Sequence, residues 1–478
     1  MTPARQQSVG VDAPAPDRAG DELIELLQDL IRIPSVNPPD PPGADGELRV
    51  ARHVAAVLAN AGLRPEVHEP FPGRGSVTAR LRGDGSGGRP LLLLSHLDVV
   101  PAAPEAWTRD PFGGDLEGGY VWGRGAVDMK GMIALEVGVL RLLAAEARAA
   151  GRDPASDPIP GLTRDVLFAA TADEEAGGHQ GIGWLVANRP DTLLAEAALN
   201  ECGGVAMTLG GARFYPIGVA EKGYAVYRIS VSGEWGHGSM PRPDNAAVRA
   251  AEAIVRLAEP GPVRITEPMA RFLAALTDAL PPGVARAMRT LTTTDRAGVE
   301  GDAALEAVCE PGYLRAARAL LRDTISPTMI AAGVKYNVIP GSAELTLDCR
   351  FLPDTTEAEM RREVERRLGD LAPFCSIELV IAAAPVEADL DVPIYRLLER
   401  VLRDHDPDGI PVPVVMPFAT DAKHTARLAV PTFGFSPLRL APDERFLERF
   451  HGVDERVGVD ALKFGLPVLH DVVRRFCG

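Results

Sequence analysis

The stretch Leu91-Leu92-Leu93-Leu94-Ser95-His96-Leu97-Asp98 decides the fold. A short apolar run flanked by polar residues reads as a strand buried on both faces, the pattern of a parallel strand in an α/β core. Side chains two apart on a strand point the same way, so His96 and Asp98 leave its carboxyl end together. An imidazole that binds a metal through one nitrogen needs an acceptor for the other, and Asp98 is placed to be that acceptor. Taken alone, the pair is also an ordinary strand end with a polar exit.

Moving outward, the arrangement recurs. Val166 to Ala170 is a second apolar run and leads to Glu174-Glu175; Leu199 ends a third and leads to Glu201. Between them Asp128 sits among Gly123, Gly125 and Lys130-Gly131, ahead of the apolar, helix-like stretch Met132 to Leu143. Ligands of an open α/β sheet bind beyond the carboxyl ends of its strands, which is where these carboxylates fall. A carboxylate can bridge two cations with its two oxygens, which a histidine cannot do. Adjacent glutamates diverge, so one can bind metal while the other reaches the attacking water and handles its proton. Each piece also has a plain reading: Asp128 as a helix N-cap, the glutamates as surface acids, His451 as one residue of a charged segment. As a set, His96, Asp128, Glu175, Glu201 and His451 can hold two zinc ions with the aspartate between them, and Glu174 is left for the proton.

Composition sets the outer bounds. A chain of 478 residues that is 46% hydrophobic can bury a sizeable core and divides into two domains. Its net charge of −16 argues against nucleic acid and anionic membrane as partners. No apolar stretch approaches the ~20 residues of a membrane span. Residues 1–20 are rich in Ala, Pro and charge without a signal-peptide core, so a disordered start and a cytoplasmic location are expected. The five cysteines are scattered and odd in number, which fits reduced thiols. Cys202 borders Glu201, but the ligand set is full without it.

Ten ordered motifs carry a resemblance: SHLDVVP, GRGAVDMKG, DEEAGG, NECGG, GHGSMP, KYNVIPG, DCRFLP, TDAKH, FGFSP and HGVDE. From about Glu22 to the C-terminus the chain resembles the zinc-dependent family of aminoacylases, acetylornithine deacetylases, succinyl-diaminopimelate desuccinylases and glutamate carboxypeptidases. In layout it is most similar to carboxypeptidase S-like members. The resemblance implies an α/β catalytic domain with a mixed sheet and an inserted ferredoxin-like lid through which a homodimer forms. It implies two zinc ions, for which cobalt or manganese can substitute in such N/O sites. His96, Asp128 and Glu201 would serve one ion, and Asp128, Glu175 and His451 the other, with Glu174 as general base and Asp98 behind His96. The peptide bond after Asp128 is expected to be cis. His237 would reach across the dimer interface as an oxyanion donor. Asn337 and Arg350 would bind the substrate carboxylate or its neighbourhood, and Gly434 would let a backbone approach the substrate.

Two features bear on the substrate. Lys423-His424 stand where the family usually has arginine and an aromatic, which leaves the local substrate contacts open. Glutamate at position 201 leans toward hydrolysis of an N-acyl amino acid over a dipeptide. Peptidase action, as a dipeptidase or carboxypeptidase, is the alternative activity. An aminopeptidase is disfavoured by Arg350 and the GHGSMP-bearing insertion, and a non-catalytic binding protein on the same fold by the complete set of ligands and base.

The domain plan follows these landmarks: 21–219 and 385–478 as the catalytic domain, 220–384 as the lid. Within the lid the expected order is the strand YAVYRISVSG, a helix from Ala246 to Leu257, strands at Val334 to Val338 and Ala343 to Phe351, a helix from Glu357 to Leu368, and a strand from Ser376 to Ala382. This is the split βαβ plan. Residues 259–328 read as a helical insertion, which either shapes an acyl pocket or pads the lid.

Overall fold

Two sheets organise the chain, and the switch between them falls at Lys222. The computed structural model describes residues 16–39, 44–283, 285–286, 289, 306, 311–442, 444 and 446–478. The first half runs α1 (Pro16–Ile31), α2 (Gly46–Asn60), β1 (Glu66–Phe71), β2 (Arg74–Leu81), β3 (Leu91–His96), β4 (Asp115–Glu117), β5 (Tyr120–Trp122), α3 (Lys130–Ala149), β6 (Val166–Thr171), α4 (Ile182–Asn188), β7 (Ala197–Asn200), β8 (Met207–Leu209) and β9 (Ala212–Glu221). The second sheet is built by β10 (Gly223–Ser232), β12 (Thr324–Ala332), β14 (Ser342–Phe351) and β15 (Cys375–Ala383). Among these lie the short β11 (Gly236–His237) and β13 (Val338–Ile339), with helices α5 (Ala246–Leu257), α6 (Glu267–Ala279), α7 (Pro311–Leu320) and α8 (Glu357–Leu368). The chain then returns through β16 (Val386–Glu387), α9 (Pro393–His405), β17 (Gly409–Met416), β18 (Thr432–Gly434), β19 (Arg456–Gly458) and α10 (Val459–Cys477).

The larger, ten-stranded sheet has the order β1-β2-β6-β3-β7-β18-β9-β16, with β8 and β17 also paired to β9. It is mixed, and β3 lies between β6 and β7, parallel to both. All six residues of β3 are buried, as its four leucines require. Helices α1, α3 and α10 cover one face, where Leu27, Leu30, Leu135, Leu140, Leu462 and Leu469 join the main core. The stacking leaves the carboxyl ends of β3, β6 and β7 side by side.

The smaller sheet is antiparallel, in the order β12-β14-β10-β15, and α5 and α8 bury Ala250, Leu257, Met360 and Val364 against one face. Thr356 caps α8 with Glu359 in a reciprocal capping box, so this charged helix starts where its sequence says.

Two expectations shift. Pro16 to Gly20, read above as part of a disordered start, form the first turn of α1; proline suits a helix start because its missing N–H would go unbonded there anyway. Residues 1–15 lie outside the described residues. The strand placed at Val334 to Val338 is instead two strands, β12 and β13, around a turn. Gly333 takes φ +76° and ends β12, and Val334 and Tyr336 stand 81% and 95% exposed on that turn. Helix α6, within residues 259–328, packs on the larger sheet. Its Met269, Leu273 and Leu276 pack on Phe214, Val412 and Val414 of the larger sheet. Lys222, buried at the crossing between sheets, donates to the carbonyls of Ala319 (3.0 Å) and Arg322 (2.8 Å) at the end of α7.

Candidate active site

The strand ends gather the ligand-type residues that the sequence scatters over more than 350 positions. Asp128 stands in the middle. Its Oδ1 faces His96 Nε2 at 3.1 Å and its Oδ2 faces His451 Nε2 at 3.2 Å. On the first side Glu201 Oε1 lies 3.7 Å from His96 Nε2; on the second, Glu175 Oε2 lies 3.3 Å from His451 Nε2. Two groups, His96-Asp128-Glu175 and His96-Glu174-Glu201, each bring their ligand atoms within 4.8 Å of one another. The peptide bond between Asp128 and Met129 is cis, as the resemblance implies.

Each residue is held by its own backbone and by neighbours. His96 ends β3, with its Nδ1 3.0 Å from the main-chain oxygen of Asp98 and 3.4 Å from that residue's carboxylate. The Asp98 carboxylate also fixes the neighbouring turn, accepting the N–H groups of Glu174 (3.1 Å) and Glu175 (3.0 Å) and the amide of Asn37 (2.7 Å). Asp173, at φ +73°, turns the chain out of β6 so that Glu174 and Glu175 begin a 3-10 turn over the strand ends. Glu47 holds that turn by accepting the N–H of Asp173 and pairing with Arg74. His424 Nε2 meets the Gly177 carbonyl at 2.8 Å on the turn's far side. Glu455, wholly buried, accepts the N–H groups of Val127 and Asp128 and pairs with Arg124.

Electrostatically the site is short of positive charge. Burial pushes Glu175 up to about 7 and Glu201 up to about 8, and raises Glu174 as well. Hydrogen bonds donated to Asp128 and Glu175 lift His451 to about 10. Burial opposes charge on His96, but Glu201, Asp128 and Asp98 together hold its imidazolium well above the usual range. One oxygen of Glu175 is buried without a hydrogen-bond partner. Converging carboxylates and two imidazoles, with an unspent buried oxygen, form an N/O donor set that fits divalent cations of the zinc type.

His237, Arg350 and Asn337, on or beside the strands outside the larger sheet, stand apart from this cluster. His237 is exposed on β11, its ring pairing with Ser239 at 2.8 Å. Arg350 on β14 directs Nε and Nη2 to Asp348, at 2.7 and 3.0 Å, and stacks over Tyr224. Asn337, half-buried beside β13, keeps its side-chain oxygen unbonded. Among the described residues none of the three bonds to the His96 cluster. Gly434 lies on β18 of the larger sheet; a Cβ there would fall 2.6 Å from the Cys202 carbonyl and 2.7 Å from that of Glu201. The close approach it admits is to the backbone of Glu201 and Cys202.

Sequence reasoning passed over Glu455, Asn37, Glu47 and Arg74. Glu455 had a signal, since it closes the HGVDE motif four residues beyond His451. The other three stand in segments with none.

Residues 92–475 match Peptidase family M20/M25/M40. Among known proteins the chain is similar to probable carboxypeptidase S-like 2 of Dictyostelium discoideum, 28% identical over 400 residues, or 78% of this chain and 69% of that protein. It is similar to the N-fatty-acyl-amino acid synthase/hydrolase PM20D1 of Xenopus tropicalis, 27% identical over 458 residues, or 92% and 83% of the two chains. Its fold matches that of the M20 family metallo-carboxypeptidase Sso-CP2 from Sulfolobus solfataricus with TM-score 0.67 at 16% identity, covering 95% of this chain and 99% of that one.

Proposed function

The chain belongs to Peptidase family M20/M25/M40, and we propose that it hydrolyses the amide bond of an N-acyl amino acid with a free carboxylate, using two zinc ions. The observation that carries this reading is the placement of Asp128, whose two oxygens face two different histidines. His96, Asp128 and Glu201 would hold one ion, and Asp128, Glu175 and His451 the other. When bound, the ions supply Lewis acidity to the scissile carbonyl and to the attacking water.

The protein's own groups do the rest. Glu174 takes the proton of the attacking water and returns it to the leaving nitrogen. Its N–H is fixed by Asp98, so the base starts from a set position. His237 donates to the carbonyl oxygen as charge develops there. It is exposed and unbonded to the cluster, which supports its delivery by lid closure or by the lid of a second copy. Arg350 and Asn337 bind the substrate carboxylate or its neighbourhood; Asp348 takes Nε and Nη2 of Arg350 and so fixes the guanidinium plane from which Nη1 would meet the substrate.

The similarity to an N-fatty-acyl-amino acid synthase/hydrolase, together with glutamate at position 201, favours an acyl amino acid as substrate. The similarity to carboxypeptidases keeps a peptide with a free C-terminus as the second reading. Turnover of N-acetyl, N-succinyl and long-chain N-acyl amino acids beside dipeptides decides between them. Hydrolysis confined to the acyl amino acids is expected, and hydrolysis confined to the peptides would reverse the assignment.

A further inference from the structure

Lys423, which the resemblance leaves unassigned, is among the described residues the cation paired with the proposed base. Its Nζ lies 3.6 Å from Glu174 Oε1, and both side chains are only 10% exposed. The same ammonium donates to the Thr420 carbonyl at 2.9 Å. Thr420 is itself tied down: its N–H and hydroxyl go to the two carboxylate oxygens of Glu221, and its hydroxyl accepts from Asn200 at 2.9 Å. Glu221 is the last residue of β9, directly before the crossing into the lid.

We propose that Lys423 is a positioning residue that clamps one oxygen of Glu174, leaving the other to meet the attacking water. Lysine suits this place because a compact ammonium on a flexible stem can sit between several acceptors as a point charge. A buried ammonium with two partners is poorly placed to serve as a free anchor for a substrate carboxylate, which separates this role from simple binding. Because Thr420 leans on Glu221, the clamp is built on the residue that enters the lid crossing. The inference rests on the assignment of Glu174 as base.

The test uses the full chain loaded with zinc and the N-acyl amino acid it turns over fastest. Lys423→Met should lower kcat at least about tenfold, with KM and zinc content unchanged, and Lys423→Arg should recover much of the loss. In a Glu174→Gln background, Lys423→Met should leave the residual rate unchanged, since the residue it serves is gone. A rise in KM with kcat preserved, a loss of zinc, or an undiminished effect in the Glu174→Gln background would each overturn the proposal. Full activity of Glu174→Gln by itself would instead overturn the base assignment beneath it.

Discussion

Glu455 Oε1 accepts the backbone N–H of Asp128 at 3.1 Å, joining residues 327 apart in the chain. The same oxygen takes the Val127 N–H at 2.7 Å, and Oε2 pairs with Arg124 at 2.7 Å. The segment that returns His451 to the site therefore also sets the turn from which Asp128 projects.

Replacing Glu455 should cost both stability and metal. Arg124 is only 3% exposed, so Glu455→Gln leaves a buried guanidinium without its counter-charge. Breaking such a pair from one side costs about 3–5 kcal/mol. Urea unfolding of the variant should show a loss of that size, and a loss below about 1 kcal/mol would refute the structural role.

Asp98→Asn should act on the metals through the backbone. Asp98 serves His96, Asn37 and two N–H groups of the Glu174-Glu175 turn, and an asparagine must turn an NH2 toward one of these donors. Loss of such support typically weakens metal binding about 10–100-fold. Chelator competition measures it directly, and unchanged zinc affinity would contradict the role.

How far the sequence spoke depended on whether a signal was local. The buried leucine strand, the H-x-D pair and the helix Glu357–Leu368 are legible because hydrophobic period and capping residues lie within a few positions. Strand β12 was not, because Pro327 interrupts its apolar run. It is tolerated there because β12 is an edge strand and its register slips between Pro327 and Met329. Asn37 and Glu47 carry no local mark; their roles arise only when the fold sets them against Asp98 and Asp173. The packing of α6 on β17 was hidden likewise, since an apolar helix face does not name its partner.

Glu136 gives a pH test away from substrate. It is fully buried in α3 with a bond from Ser95 at 2.7 Å, and burial raises its pKa from 4.5 to about 8. The folded state thus binds this proton more tightly than the unfolded chain does. Its contribution is fully present below the unfolded value of 4.5 and is lost as pH rises toward about 8. Glu136→Gln, which cannot ionise, should gain on the wild type across that window by up to about 5 kcal/mol. Thermal unfolding against pH checks this; a constant difference between the two proteins would contradict it.

Gly434→Ala should destabilise the Glu201 segment. The new Cβ would meet backbone carbonyls on Cys202 and Glu201, neither of which can swing aside as a side chain would. Overpacking of this kind costs about 1–3 kcal/mol. Denaturant unfolding should show the loss together with reduced zinc content, and a variant with wild-type stability and zinc would show that the contact relaxes freely.

The most direct test of the central claim is the zinc content and turnover of Glu174→Gln beside the wild type, on an N-acyl amino acid that the wild type hydrolyses. The account predicts two zinc ions per chain in both proteins and a fall in kcat of about 10²–10⁴-fold in the variant. Undiminished turnover, or loss of zinc along with activity, would contradict the assignment of Glu174 as a base that does not hold the metal.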